Sequence, residues 1–139
     1  MQQEDVEAVH AVSKECFSVP WSLEALKNEV CNSVANYQVA EMNGKIIGYG
    51  GLWCVLDEGE ITNIAVNREY RGQGVGKTIL SALIQLALQK NLVMIHLEVR
   101  SGNIVAQNLY KCLGFKKIAI RKDYYQKPTE DAIIMQYQL

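Results

Sequence analysis

Apolar residues recur along the chain with two spacings, one near the helical period of about 3.6 residues and one near two. The helical spacing predicts four amphipathic helices, over residues 4–16, 22–31, 75–89 and 103–113. Ser22 stands where an N-cap is expected for the second helix, and Gly114 follows the fourth helix as a typical C′ residue. Each helix therefore has one face that needs a partner surface.

The shorter spacing predicts six strands, over residues 37–42, 46–54, 60–66, 94–99, 115–120 and 132–137. The first two flank Asn43-Gly44, a dipeptide typical of two-residue hairpin turns. Along the chain the order is α α β β β α β α β β. This order predicts an α/β (α+β) fold with a mixed, mostly antiparallel central sheet and helices on both faces.

Length and composition narrow the class of protein. The chain has 139 residues, of which 49% are hydrophobic, so we expect one domain over residues 1–139 that buries roughly two-thirds of its unfolded surface. The formal net charge of −1 argues against recruitment of nucleic acid by bulk electrostatics. We find no secretory signal and no apolar run of the ~20 residues that span a membrane, and we expect a cytoplasmic protein.

The four cysteines, at positions 16, 31, 54 and 112, form no C-x-x-C pair. A zinc site or a disulfide framework is therefore not expected, and buried free thiols in a reducing compartment are the preferred interpretation.

The stretch from Arg71 to Lys77 contains three glycines between a predicted strand and a predicted helix. Such loops bring backbone N–H groups and a helix N-terminus close to phosphates, although glycine-rich loops also serve as plain turns. The spacing is not that of a Walker A loop, because Arg71 stands five residues before Gly76. It is not the Gly-x-Gly-x-x-Gly dinucleotide pattern either, because the glycines are Gly72, Gly74 and Gly76.

Two residues later in the chain, Glu98 and Tyr110, are candidates for proton transfer. Glu98 ends an apolar strand, where partial desolvation suits a carboxylate to act as a general base, although pairing with Arg100 is an equally simple interpretation. Tyr110 lies on the helix 103–113 and can face the same cleft as a proton donor. Taken alone, Tyr110 is more easily interpreted as a core aromatic residue.

The glycine loop resembles that of the GCN5-related N-acetyltransferases, [Arg/Gln]-x-x-Gly-x-[Gly/Ala], with Arg71, Gly74 and Gly76 at the defined positions. Further motifs resemble the branch of this family that acetylates ribosomal-protein alanine. They are Leu97-Glu98-Val99-Arg100-x-x-Asn103, Ala106-x-x-Leu109-Tyr110-x-x-Leu113-Gly114-Phe115 and Arg121-x-x-Tyr124-Tyr125.

The resemblance implies a direct transfer of acetyl from acetyl-CoA to a protein N-terminal amine, with the N-terminal alanine of ribosomal protein S18 as the expected acceptor. It makes Glu98 the base and Tyr110 the acid, and it implies no metal. The implied acetyl-CoA contacts are Ile64, Ala65, Val66, Arg71, Gly72, Gln73, Gly74, Val75, Gly76, Lys77, Asn103 and Tyr110. The implied acceptor contacts are Trp21, Tyr124 and Tyr125.

Three points stay open at this stage. Asn103 is also a natural N-cap for its helix, so a cap and a ligand contact compete as explanations. Family members usually begin with a short strand, for which Met1-Gln2-Gln3 leaves no room. A small-amine or lysine acetyltransferase of the same fold, and a non-catalytic acyl-CoA-binding module, are the alternative functions.

Overall fold

A computed structural model describes all residues, 1–139. Its four α-helices, α1 to α4, span Val6–Cys16, Leu23–Val30, Val75–Gln89 and Ile104–Cys112. Its six strands, β1 to β6, span Ala35–Met42, Lys45–Val55, Glu58–Val66, Met94–Arg100, Lys116–Tyr125 and Glu130–Gln138. Short 3₁₀ turns occupy Gln3–Asp5 and Arg68–Tyr70. The predicted order is confirmed, and the largest difference is β5, which runs five residues beyond the predicted end.

All six strands form one sheet in the order β1-β2-β3-β4-β6-β5. Only β3 and β4 pair in parallel, and the other four neighbouring pairs are antiparallel. The predicted mixed, mostly antiparallel sheet is thus confirmed. The crossover from β3 to β4 runs through α3, as a parallel connection requires.

Helices cover both faces of the sheet, as predicted. On one face α3 and α4 enclose a core that includes Leu83, Ile95 and Met135. On the other face α1 and α2 pack against Tyr37 and Tyr49. Helix α3 comes so close to β2 that a Cβ atom at Gly50 would lie 2.6 Å from Ile79 Cγ2, so this position requires glycine.

The predicted turns and caps are present. Asn43 and Gly44 both have positive φ, 52° and 79°, as a two-residue hairpin turn needs. Ser22 Oγ accepts a hydrogen bond from Ala25 N at 3.1 Å. After α4, Gly114 has φ of 110° and the N–H of Phe115 donates to the carbonyl of Tyr110 at 3.0 Å, which closes the helix.

Strands β3 and β4 pair over only four residues, from Glu58 opposite Met94 to Ile61 opposite Leu97. At that point the register of β3 with β2 also shifts, because Leu52 pairs with Ile61 and Gly51 with Asn63. Thr62 is the extra residue of this bulge. A bulge bends and twists the strand that carries it, and β3 then continues with no pairing to β4.

The cysteine prediction is wrong in part. Cys31 and Cys112 are exposed, and Cys16 and Cys54 are only half-buried, although all four are free thiols. Cys112 lies on the solvent side at the end of α4, and Cys31 follows the last residue of α2. Both residues thus stand at a helix end that the core does not cover. None of the helices is both long and apolar enough to cross a bilayer.

Glu29 is a buried carboxylate, 8% exposed, that joins α2 to the sheet. It accepts hydrogen bonds from the Tyr37 hydroxyl at 2.9 Å and from Trp53 Nε1 at 2.6 Å. Replacing Glu29 with Ala leaves the half-buried Trp53 Nε1 without a partner, and the buried Tyr37 hydroxyl keeps only Thr62 Oγ1 at 3.4 Å. An unsatisfied donor of this kind costs about 1–3 kcal/mol. We therefore expect the free energy of unfolding, measured by urea denaturation, to fall by about 2–4 kcal/mol.

The exposed Glu24 on the same helix provides the control. Glu24→Ala removes the same group from the first turn of α2 and should cost less than about 1 kcal/mol. Equal losses from the two variants would contradict the role given to Glu29.

Candidate active site

A cleft of about 520 Å³ opens where β3 and β4 separate. One wall is the connection between α1 and α2, residues 17–21, and the opposite wall is the end of β5, residues 124–126. The floor consists of β3 residues 61–64 and β4 residues 97–100, with one side of α4 beside them. The bulge at Thr62 creates this space, because it ends the β3–β4 pairing at Ile61.

Glu98 lines the cleft from β4, with a side chain 20% exposed. Its Oε1 atom lies 3.4 Å from Arg121 Nη1 on β5. The alternative prediction, an ion pair between Glu98 and Arg100, is wrong, because Arg100 instead pairs with Glu130 at 3.1 Å. Glu98 is thus a carboxylate held at the cleft by a half-exposed cation, and its position suits it to accept a proton.

Tyr110 serves both as a core residue and as a cleft residue. Its ring packs against Phe115, with centroids 5.8 Å apart, and the side chain also lines the cleft. Burial raises the pKa of its phenol to about 12. The phenol therefore keeps its proton at neutral pH, as a proton donor must.

Two adjacent tyrosines form the β5 wall. The rings of Tyr124 and Tyr125 meet edge to face with centroids 5.1 Å apart. Hydrogen bonding to Glu98 is the main cause that raises the pKa of the Tyr124 phenol, while burial is the main cause for Tyr125. On the opposite wall Trp21 packs against Trp53 with centroids 6.1 Å apart.

Arg100, considered from the sequence only as a partner of Glu98 and as part of a motif, is a residue of the site. Its guanidinium donates to the carbonyls of Gln126 at 2.8 Å and Pro128 at 2.9 Å, and to Ser18 Oγ at 3.3 Å. It also lies 4.5 Å from the Tyr125 ring centroid. Arg100 therefore joins the two walls of the cleft. The sequence around Arg100 does not indicate these contacts, because the residues that it contacts belong to segments far away in the chain.

Arg100→Lys keeps the charge but loses the planar fork that holds both walls. One hydrogen bond from a charged donor contributes about 1.5–3 kcal/mol. For the transferase activity that the sequence resemblance implies, we expect the KM for the acceptor to rise about tenfold or more in steady-state assays, with the KM for acetyl-CoA near normal. Ser18→Ala removes only one of these contacts and should have a smaller effect in the same direction. A normal acceptor KM in the Arg100 variant would contradict this account.

The glycine loop lies beside the end of β3. Gly72 and Gly74 have positive φ, 77° and 82°, and Gly74 is the N-cap residue of α3. Arg71 folds back, with Nε donating to the Val66 carbonyl at 2.9 Å and Nη2 to Cys16 Sγ at 3.2 Å. The first N–H groups of α3 have no acceptor within the helix, and a helix start of this kind is suited to phosphate.

The cleft brings together seven of the predicted residues: Trp21, Ile64, Glu98, Asn103, Tyr110, Tyr124 and Tyr125. Ala65, Val66 and the loop 71–77 do not line it, and Ala65 lies in the core beneath α1.

Asn103 Oδ1 accepts from Ala106 N at 3.1 Å, so the cap is present, and a ligand contact stays a prediction. Thr62 and Asn63 line the cleft and were missed. No three His, Cys, Asp or Glu side chains are grouped to hold a metal ion.

Comparisons with known proteins show the family of the chain. The sequence model of the Acetyltransferase (GNAT) family matches residues 6–115. A Bacillus subtilis (strain 168) protein, provisionally named a ribosomal protein bS18-alanine N-acetyltransferase, is 40% identical over 136 residues, which cover 97% of this chain and 90% of that protein. The Haemophilus influenzae ribosomal protein bS18-alanine N-acetyltransferase is 38% identical over 134 residues, 94% of this chain and 90% of its own.

A solved structure agrees as well. The crystal structure of the ribosomal-protein-S18-alanine N-acetyltransferase from Escherichia coli superimposes with a TM-score of 0.92 at 31% identity. The match covers 99% of this chain and 90% of that one. The split sheet, the glycine loop at a helix start and these similarities have one explanation: the chain belongs to the acetyltransferase (GNAT) family.

Proposed function

We propose that residues 1–139 act as one domain that transfers acetyl from acetyl-CoA to the N-terminal α-amine of a protein, with the N-terminal alanine of ribosomal protein S18 as the acceptor. The observation that carries the proposal is the placement of Glu98, on β4, and Tyr110, on α4, in one cleft. The names of the relatives support the acceptor. We further propose that the protein works in the cytoplasm.

The free edge of β3 suits the donor. Beyond Ile61 this strand has no partner on the β4 side. Its backbone groups there, apart from the Val66 carbonyl that accepts from Arg71 Nε, are therefore available to an extended amide-containing chain. We assign the pantetheine arm to Ile64, Ala65 and Val66, and the pyrophosphate to the loop 71–77 at the start of α3. Asn103 lines the same cleft and is assigned a further contact. Acetyl-CoA supplies the acetyl group as a thioester.

Glu98 acts as the general base in this proposal. The acceptor amine must be neutral to attack, and Glu98 takes its proton. An α-amino group has a pKa near 7.7–8.0, so roughly a tenth is already neutral at pH 7. Deprotonating a lysine amine, with a pKa of about 10.4, costs roughly 3.5 kcal/mol more than deprotonating an α-amine at the same pH. A single carboxylate base therefore suffices more easily when the acceptor is a protein N-terminus than when it is a lysine side chain.

Tyr110 acts as the general acid. The leaving thiolate must gain a proton, and the buried phenol holds one at every physiological pH. Tyr110 lies on α4 and Glu98 lies on β4, so the acid and the base approach the reacting groups from different elements. The alternatives are a small-amine or lysine acetyltransferase with the same two residues, and a module that binds acyl-CoA without turnover.

A panel of acceptors tests the proposal. Thiol release from acetyl-CoA is followed with a peptide that begins Ala-Arg-Tyr, the same peptide with a blocked N-terminus, a lysine peptide and spermidine. We expect turnover with the free N-terminus alone. Turnover with spermidine or the lysine peptide alone would move the function to the first alternative, and CoA binding without any turnover would move it to the second.

A further inference from the structure

The near-neutral net charge hides a strong separation of charge along the chain. Residues 1–70 contain four Lys and Arg against eleven Asp and Glu, a formal charge of −7. Residues 71–139 contain ten Lys and Arg against four Asp and Glu, a formal charge of +6. Within the second half, residues 111–127 contain six basic side chains and only one acidic, Asp123.

This basic stretch is centred on β5, which forms an edge of the sheet and pairs only with β6. Lys116, Lys117 and Lys122 are exposed and form no salt bridge, and they lie on both sides of the strand. From Lys116 to Lys122 the strand extends roughly 20 Å. Lysines on an edge strand can simply prevent edge-to-edge pairing, but that role does not require the near absence of acidic groups within residues 111–127. The nearest carboxylates on β6, Glu130 and Asp131, lie at the Tyr124 end of the strand.

Two further features favour nucleic acid over an acidic protein segment as the ligand of this edge. Ile118 and Ile120 stand between Lys117 and Lys122 with side chains 53% and 49% exposed, so the edge offers apolar surface between two groups of cations, as RNA offers bases between phosphates. The strand then leads directly into Tyr124, which lines the cleft. A polyanion lying along β5 would therefore end where the acceptor enters.

We propose that β5 is a docking edge for RNA, in which Lys116, Lys117 and Lys122 contact phosphate groups of the RNA that surrounds the acceptor. The inference rests on the proposed function, because ribosomal proteins assemble on RNA. The acidic half of the chain repels the same RNA, so the separated charges orient the protein with the cleft end of β5 toward its acceptor.

Fluorescence anisotropy with a short, labelled, single-stranded RNA tests the proposal. For about four phosphate contacts, raising KCl from about 50 to about 200 mM should weaken binding by the wild-type protein roughly 50-fold. The triple variant Lys116→Gln, Lys117→Gln, Lys122→Gln retains about one contact, so its affinity should change only about threefold over the same range. These side chains are exposed, and we expect the variant to fold normally.

The matched control is Lys14→Gln, Lys27→Gln, Lys45→Gln, which removes the same charge from exposed positions in the acidic half. It should bind RNA with the salt dependence of the wild-type protein. Equal behaviour of the two triple variants, no binding at about 50 mM salt, or displacement of the RNA by polyglutamate at equal charge concentration would overturn the proposal. Acetylation of the free Ala-Arg-Tyr peptide should be unchanged in both variants. If the wild-type protein does not acetylate this peptide, the proposed function itself is refuted.

Discussion

Replacing Tyr110 with Phe is expected to lower kcat by roughly 10²–10⁴ and to leave the affinity for acetyl-CoA near normal. The change removes one hydroxyl and keeps the ring, which packs against Phe115. The Tyr110 carbonyl that closes α4 is a backbone group and is unaffected. Steady-state kinetics with a saturating acceptor peptide, together with calorimetry of CoA binding, separates the two effects.

The aromatic cluster around Phe115 provides a matched control. Tyr137 packs on the same ring with centroids 5.3 Å apart but does not line the cleft. Tyr137→Phe should therefore leave kcat within about twofold of the wild-type value, since it removes a hydroxyl that takes no part in proton transfer. If Tyr110→Phe weakened CoA binding as much as it slowed turnover, Tyr110 would be a structural residue and the assignment would fail.

Burial of Tyr110 also predicts the alkaline side of the pH–rate profile. Because its pKa is raised to about 12, the protonated form persists to higher pH than for an ordinary phenol near 10. The donor is lost only as pH rises through that higher value. The wild-type rate should thus show no decline from this residue below about pH 11.

Replacing Glu98 with Gln is expected to slow the reaction by roughly 10²–10⁴, with the largest loss at low pH. Without the base, only the neutral fraction of the acceptor amine reacts, and that fraction falls tenfold per pH unit below an α-amine pKa of about 8. The mutant rate should therefore rise with pH and level off near that value, which narrows its gap to the wild-type rate.

Glu60 on β3 is the control for this change. Its carboxylate lies 4.0 Å from His96 Nε2 and its side chain is 44% exposed, more than twice the exposed fraction for Glu98. Glu60→Gln also removes one negative charge near Tyr124, yet it should leave kcat at saturating acceptor nearly unchanged. A Glu98→Gln enzyme whose rate did not vary with pH would remove Glu98 from the role of base.

The order of elements could be predicted because each one is encoded locally. The 3.6-residue stripe of α3, the Asn43-Gly44 turn and the stop at Gly114 all agree with the structure. The end of β5 was missed because its second half, from Arg121 onward, is polar and exposed on the sheet edge. A strand without a buried face leaves no alternation in the sequence.

That Glu98 and Tyr110 face one cleft could be predicted from their places at a strand end and on the next helix, but the origin of the cleft could not. It depends on the bulge at Thr62, and a bulge is defined by the pairing of two strands. The contacts of Arg100 with Ser18 and Gln126 likewise join segments separated by 82 and 26 positions. Such long-range partners are set by the tertiary fold and have no local pattern.

Transfer to an α-amine is tested most directly by locating the acetyl group on a product. The acceptor is one peptide that begins Ala-Arg-Tyr and also contains an internal lysine, so that both amines compete in the same reaction. After incubation with acetyl-CoA, tandem mass spectrometry assigns the modified nitrogen. The account predicts acetyl on the alanine α-nitrogen alone, and acetyl on the lysine side chain with a free N-terminus would contradict it.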